Sequence, residues 1–569
     1  MISTSLPKEV SSTTPFFDVI LVSGEKWADH PHSGIGIISR VLEAAGFSVG
    51  IIEKPNWHTL ADFTKLGMPK LFFGVSSGSI DSMLQNYTPL KKKRAEDPYH
   101  PFKSNIPDRA TIVYAQKIRQ AIKQNSSKVS SIHIVLGGVE ASLRRFTHYD
   151  YWSNSLRKPI ILDAKADILV YGPGEYQVVE IARRLLHKQP LWGIEGTVIS
   201  FPQKKCLVDI DNFESLPSFE EIATNKERFC DMQLQFSNSK NLLQKTGNFM
   251  VLQYRMHNYT SDELDAIFSL PYSYHIPKNF SEFQMAQFSI ITHRGCIGEC
   301  SFCAIALHQG TKIVSRSQKN ILEEIEKMTH LDGFRGYISD LGGPSANMYG
   351  MDCSNRESCM QHCMKCPFLD RSHKKALELL QKSREIPGIK KVFVRSGVRF
   401  DMIIDHDEYM RELFTHHISG QLKIAPEHFS PNICALMNKD NSRFEEFLQK
   451  FKQLNPDPKQ SLKYYFITAH PGSTLKDVEF LHKKIRQLGE KSTESIQIFT
   501  PTPMSVSTCM YYTGLNPFTK EPVYVPYTYK EKKIQKNLLY SRISQHSLQS
   551  KQSQPSQYLQ KSPKNRKKK

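Results

Sequence analysis

An α/β chain built from two consecutive units is predicted from three features of the sequence. Short apolar strands alternate with helical segments through the first third. A second, more regular alternation runs from Phe288 to Phe499. Between them, Tyr254 to Phe283 breaks the pattern with Pro, Tyr, His and Asn and marks the domain boundary. At 569 residues the chain exceeds one ordinary core, and length suggests roughly two to four domains. A hydrophobic fraction of 39% with 10% aromatics is enough to bury such cores.

In order, Asp18–Val22 reads as a strand, and a polar loop WADHPHSG follows it. Ile35–Ala45 then carries Ile35, Ile38, Val41, Leu42 and Ala45 at helical spacing, with Gly46 where a helix stops. Ser48–Ile52 completes a βαβ unit. Further strands are expected at Leu71–Val75, Ile132–Leu136 and Ile168–Tyr171, and helices at Ala115–Lys123 and Tyr176–Leu186. This alternation predicts a doubly wound, Rossmann-like domain. In the second unit, strands are expected at Phe288–Thr292, Gly336–Ser339, Lys391–Arg395, Gln421–Ala425, Tyr464–Thr468 and Ser495–Phe499. Helices between them fit Asn320–Met328, Lys374–Ser383, Glu408–His416, Phe444–Leu454 and Leu475–Leu488. Repeated parallel βα units close into an open sheet or a barrel, and either form gathers its ligand-binding loops at the carboxyl ends of the strands.

No apolar run reaches the roughly 20 residues of a membrane helix, and the N-terminus has no basic start before an apolar stretch. A cytoplasmic, reducing location is the expectation, and there clustered cysteines point to metal or catalysis rather than disulfides. Seven of the 11 cysteines crowd between Cys296 and Cys366. Cys206, Cys230, Cys434 and Cys509 are scattered and read as small buried hydrophobes. The formal net charge of +19 is partly local, since the Lys-, Gln- and Ser-rich stretch 527–569 reads as a disordered basic tail. Such charge attracts phosphate without sequence preference, which adds RNA to the substrate classes to consider.

The loop Thr292–Gly310, THRGCIGECSFCAIALHQG, directly follows the first strand of the second unit. Its C-x3-C-x2-C spacing lets Cys296, Cys300 and Cys303 converge on one iron–sulfur cluster, which takes four thiolates when fully closed. Three leave one iron open, as a substrate-binding metal requires. The competing reading is a zinc site completed by His293 or His308.

With Phe302 before the last cysteine, this loop closely resembles the radical S-adenosylmethionine superfamily. ADHPHSGIGIISRVLEAAGF, LGGVEASLRRFTHYDYWS, SDLGGPSANMYG, RSGVRFD, LKIAPEH and HPGST narrow the resemblance to its YgiQ-type branch, from about Phe17 to about Pro526. The resemblance implies a partial (β/α)6 barrel and a [4Fe–4S] cluster on Cys296, Cys300 and Cys303. It also implies S-adenosylmethionine as cosubstrate, cleaved reductively to a 5′-deoxyadenosyl radical that abstracts hydrogen from a substrate. Phe302 would pack near the adenine, and Gly342 and Gly343 would bind the cosubstrate amino group. Pro344 departs from relatives that carry an acidic residue there. Ser396 and Arg399 fall where ribose and carboxylate contacts are made. A reductant such as flavodoxin or ferredoxin is implied. The domains then read as 1–270, 284–526 and the tail 527–569.

Three further constellations stand beside the cysteine loop. Cys353, Cys359, Cys363 and Cys366 form C-x5-C-x3-C-x2-C-P, open to an auxiliary cluster, a structural zinc or free thiols, with His362 as a bystander. The DHPHSG loop, Asp29 to Gly34, makes the first domain similar to cobalamin-binding domains, but its Asp29, His32 and Gly34 lack the D-x-H-x-x-G spacing of the cobalt-ligating type. That domain is therefore expected to shape the substrate entrance, with Gly137 and Gly138 at a turn. Glu427, His428 and His470 at strand ends are candidates for proton handling. The functional expectation is a radical enzyme of unknown substrate; the contrasting class is a non-catalytic, zinc-stabilised nucleic-acid-binding protein.

Overall fold

The computed structural model describes residues 1–5, 16–94, 106–125, 132–276, 286–353, 355, 359, 363–489 and 493–540. The first half is organised by one sheet whose ten described strands are β1 (Ile2–Ser3), β2 (Val19–Ser23), β3 (Val49–Glu53), β4 (Phe72–Ser76), β5 (His133–Leu136), β8 (Ile168–Val170), β9 (Thr197–Pro202), β10 (Glu214–Leu216), β11 (Leu242–Thr246) and β12 (Phe249–Gln253). The hairpin β6 (His148–Asp150) and β7 (Ser155–Arg157) stands outside it. The order is β1-β3-β2-β4-β5-β8-β9-β12-β11-β10, parallel from β1 through β8.

The parallel strands are apolar on both faces because both are covered. Leu21, Val49, Ile51, Val135 and Ile168 pack with Leu42, Val178 and Ile181 of the helices Gly34–Ala44 and Glu175–Leu186. Ile20, Val22, Phe73, Val75 and Ile134 face the other way, against Tyr114, Ala115 and Ile118 of the helix Ala110–Asn125. This period-two division is what a strand between two helical layers requires. The Ser33 hydroxyl starts the first helix by accepting from the Gly36 amide at 3.2 Å.

Three expectations are corrected. Beyond β8 the sheet is mixed: β9 runs antiparallel to both β8 and β12, and β11–β12 is a hairpin turning at Gly247, φ +56°. The sequence pattern predicts a doubly wound domain and makes no assignment over residues 187–253. The signal was present, since two apolar runs flank Thr246-Gly247-Asn248.

In the second half the six expected strands appear, among the described residues, as separate parallel sets rather than one continuous sheet. β13 (Ser289–Ile291) pairs with β17 (Asp340–Gly342), and β16 (Tyr337–Ile338) with β18 (Lys391–Val392). The third set is β19 (Gln421–Glu427), β20 (Ser461–Thr468) and β21 (Thr493–Ile498). Tyr337 to Gly342 is interrupted at Ser339, whose amide donates to the Phe288 carbonyl while that of Leu341 reaches Phe393. One short segment thus bridges its neighbours on both sides.

The expected tail does not begin at 527. Tyr529–Tyr540 is a helix, and its Lys532, Gln535 and Leu539 are buried. Lysine-rich composition hid a face that finds its partners only in the folded chain. The rest of the expected tail, 541–569, lies outside the described residues, as does His362. No described helix is long and apolar enough to cross a membrane.

Burial also makes the fold acid-labile. His30, His148 and His470 are buried, which pushes each imidazole from 6.5 down to about 3. Between these values the unfolded chain binds more protons than the folded one. Stability is therefore fully present above pH 6.5 and falls as pH drops toward 3, by up to about 1.4 kcal/mol per pH unit for each histidine. Denaturant midpoints are expected to be flat from pH 7 to 8 and to fall steadily below 6.5. A midpoint constant down to pH 4.5 would refute this.

Candidate functional site

The cysteine loop is held from three directions. β14 (His293–Arg294) pairs antiparallel with β15 (Val314–Ser315) just before it. Gly295 then turns with φ +85°, where any Cβ would stand 1.9 Å from the Lys312 carbonyl oxygen. The Cys296 amide donates to the Gly310 carbonyl at 3.2 Å and that of Cys303 to Cys300 at 3.0 Å. From later in the chain, the Asn438 side chain donates to the Glu299 carbonyl, and the Ser301 amide to that of Met437. Cys303 caps the helix Ala304–Gln309.

Cys296, Cys300 and Cys303 are free, half-buried thiols close enough to act on one another through space. Burial, with the neighbouring thiols adding to it, pushes Cys303 up to about 12 and raises Cys296 in the same direction. Burial thus disfavours the thiolates of Cys296 and Cys303, which a metal would hold deprotonated. Arg399 supplies the positive charge: its Nη1 lies 3.7 Å from the Cys300 sulfur, and its other edge is clamped on Asp401 at 2.8 and 2.6 Å. Burial opposes that charge, but Asp401 and the two nearest thiols keep it firmly protonated. A Cβ on Gly298 would lie 2.5 Å from the guanidinium, so only glycine admits this approach.

Among the described residues no three His, Cys, Asp or Glu side chains converge tightly enough for a single metal ion. A cluster takes one thiolate per iron and does not need such convergence. His293 is buried on Thr292 and against Gly343, and His308 engages the Ser142 hydroxyl at 2.9 Å.

The remaining expected residues divide into two groups. Glu427 lies near Cys303 and Arg399, in a left-handed conformation (φ +66°) with Lys439 at 3.7 Å; burial pushes its carboxyl up. The Phe302 ring stands edge-on to His470, 6.4 Å away. The Ser396 hydroxyl donates to Asp340 at 3.1 Å and fills the space a Gly342 Cβ would take, while Gly343 is crowded by His293. The glycine pair is thus already demanded by protein packing. His428 belongs elsewhere: its Nδ1 accepts from the Ser430 amide and its carbonyl from Asn441. His470 reaches the Ser507 hydroxyl at 2.6 Å.

Sequence reasoning missed Asp340, Asp401 and Lys439, which hold these residues in place, and Arg294. Arg294 pairs with Glu175 of the first domain at 2.5 Å, and its Nη1 is buried without a partner. It borders two cavities. One, of about 310 Å³, is also lined by Cys300, Cys303, Asn238 and Tyr259. The other, of about 460 Å³, lies over the carboxyl ends of the parallel strands, between Gly34, Gly137 and Gly172 and the helix after Cys303. Asp29 takes no part in either; it is clamped by Arg40 and the Ser273 amide.

The second cysteine set stands close by. Cys353, Cys363 and Cys366 pack with Cys296, Met348, Met351 and Met402, and the Lys312 ammonium donates to the Cys359 carbonyl.

Family models match almost the whole described chain: radical SAM N-terminal over residues 7–293, radical SAM superfamily over 290–485, and a domain of unknown function, DUF3362, over 494–548. A UPF0313 protein of Methanosarcina acetivorans is 42% identical, over 92% of this chain and 76% of its own length. One of Clostridium botulinum is 43% identical, over 92% and 85%. Among solved structures, the radical S-adenosylmethionine methyltransferase TsrM of Kitasatospora setae matches with TM-score 0.47 and 15% identity, over 87% of this chain and 76% of its own. The cobalamin-dependent S-adenosylmethionine radical enzyme OxsB matches with TM-score 0.47 and 12% identity, over 94% and 61%.

Proposed function

We propose, from the premise that this chain belongs to the UPF0313 family and is an enzyme of the radical S-adenosylmethionine superfamily, that Cys296, Cys300 and Cys303 hold a [4Fe–4S] cluster for reductive cleavage of S-adenosylmethionine. The observation that carries this reading is the proximity of three free thiols on one loop beside a locked arginine. When bound, the cluster supplies the single electron that breaks the carbon–sulfur bond of the cosubstrate. Arg399 offsets the negative charge of the thiolates and keeps one orientation because Asp401 occupies its other edge. It is therefore better suited to the cluster than to a free carboxylate. Ser396, aligned by Asp340, and the backbone of Gly342 and Gly343 form the polar side of the cosubstrate pocket, with Phe302 on its apolar side. The 310 Å³ cavity beside Cys300 and Cys303, bordered by Arg294, is the space for a substrate next to the cluster.

The domain reading is a Rossmann-like unit over 1–270 and a partial (β/α)6 unit over 284–526, extended by the helix Tyr529–Tyr540. A flavodoxin- or ferredoxin-type reductant fits the chemistry. The zinc-stabilised nucleic-acid-binding alternative falls with the family assignment, and nothing in the comparisons points to RNA. The test is anaerobic purification, iron and sulfide analysis, then dithionite and S-adenosylmethionine with 5′-deoxyadenosine followed by chromatography. Iron-free protein, or reconstituted protein that forms no nucleoside, would overturn the reading.

The set Cys353, Cys359, Cys363 and Cys366 is proposed as an auxiliary four-thiolate site, supported by the mutual proximity of Cys353, Cys359 and Cys363. If it holds a second [4Fe–4S] cluster, iron is expected to fall from about eight to about four per chain in Cys363→Ala. Unchanged iron with loss of one zinc would assign zinc there instead.

A further inference from the structure

Away from the cysteine loop, a cavity of about 620 Å³ opens between the β6–β7 hairpin and the helices Val506–Thr513 and Tyr529–Tyr540. Its wall carries three lysines, Lys91, Lys226 and Lys532, and six tyrosines, but no aspartate or glutamate. Lys532 is 3% exposed, and among the described residues its ammonium donates to two phenol oxygens, Tyr151 at 3.0 Å and Tyr511 at 2.8 Å. Asp150, the nearest acid on the hairpin, is already satisfied by Arg109 and by the amides of Trp152 and Ser153. Glu531 acts on this ammonium only through space, its own oxygens being taken by Tyr524 and Thr528. A buried cation with no carboxylate in contact is costly, and an anionic ligand would relieve that cost. Burial pushes Lys532 from 10.5 down to about 8.

We propose that this cavity is a binding site for a phosphorylated ligand bearing a planar ring, of the nucleoside monophosphate class. A phosphoryl dianion matches several ammonium groups better than a single carboxylate, offering twice the charge and three acceptor oxygens. The Tyr511 hydroxyl, which accepts from Lys532, can still donate its own proton to such an oxygen. The ring half follows from the rest of the wall. Tyr149 and Tyr512 stack with centroids 5.0 Å apart, and Lys226 lies over the Tyr512 ring. That pair already covers its own faces, so a base would stack on the exposed Tyr527 and Tyr529 of the same wall. The volume falls within the range of small-molecule sites, about 300–1,000 Å³. The cavity is built jointly by the first domain and the segment matched by DUF3362, so the ligand would bridge the two ends of the chain.

The test is calorimetry on the full, iron-loaded protein with uridine 5′-monophosphate, uridine and inorganic phosphate, each with saturating S-adenosylmethionine present. Uridine 5′-monophosphate is expected to bind at least tenfold more tightly than either fragment. Lys532→Gln is expected to weaken it at least tenfold, and Lys91→Ala, at an exposed position, about threefold. Equal affinity for phosphate alone would overturn the planar-ring part of the proposal. Undiminished binding in both variants, no binding of any probe, or displacement by S-adenosylmethionine would overturn all of it. Where Lys532→Gln fails to fold, Lys91→Ala and Tyr529→Leu carry the decision.

Discussion

Cys296→Ala is expected to lose the iron of the loop cluster and to reduce 5′-deoxyadenosine formation to background, with the fold intact. The thiols sit on a loop whose shape is set by its own backbone: the turn at Gly295, the Gly310 and Cys300 carbonyls, and the anchors at Asn438 and Met437. Removing one sulfur leaves these in place. The remaining two thiols cannot complete a three-thiolate set, and burial pushes one of them, Cys303, up to about 12. Cys300→Ala and Cys303→Ala should behave alike, and Cys206→Ser, a half-buried thiol remote in sequence, should keep full iron and activity. Far-ultraviolet circular dichroism checks the fold, and iron analysis with the dithionite-driven assay reads the loss. Iron content and nucleoside yield at the parental level in Cys296→Ala would remove the loop from the mechanism.

Glu175→Ala is expected to be among the most destabilising single changes, by about 3–5 kcal/mol. Glu175 opens the last helix over the parallel sheet, and its side chain is 5% exposed beside an Arg294 that is 12% exposed. Burial opposes ionisation of Glu175, but Arg294 and the Tyr259 hydroxyl hold its carboxyl below the usual range. Without the carboxylate, Arg294 keeps its charge in a buried position where Nη1 already lacks a partner. Because Arg294 directly precedes the cysteine loop, the same change should reduce cluster retention. Glu175→Gln, which keeps an acceptor but not the charge, should fall between. Denaturant titration of the two variants measures this, and a loss below about 1 kcal/mol in Glu175→Ala would contradict it.

Much of the architecture was legible because burial leaves a periodic trace. The run Val19–Ser23 is apolar throughout since helices cover both faces, and Gly34–Ala44 carries its stripe toward that sheet. The cysteine loop was legible for another reason: three ligands on one short loop are near each other in sequence as well as in space. Glu427 and Phe302 could be named as strand-end and loop residues, yet their neighbours could not. Lys439 meets Glu427, and His470 stands against Phe302, through contacts that sequence spacing does not encode.

The same contrast explains the misreadings. The Tyr529–Tyr540 helix looked like solvated charge because Lys532 and Gln535 are polar. Lys532 is buried by tyrosines from residues 151 and 511, and Gln535 by the strand end at Ala469 and Ser473. At the glycine pair, spacing did not show a packing demand that exists beside any ligand role: Ser396 and His293 fill the space a Cβ would take.

By itself, the sequence determined the α/β class, the order of the parallel strands' βα units and the loop that presents three cysteines, because local periodicity and local spacing encode them. Only the tertiary structure decided that Arg399 turns to the thiols and not outward, that Arg294 ties the loop to the first domain, and that Lys532 faces Tyr151 of the first domain beside Tyr511. Each of those is a pairing of charges or polar groups between distant segments. Its energy depends on burial and on who stands opposite, and neither is written in any one stretch of the chain.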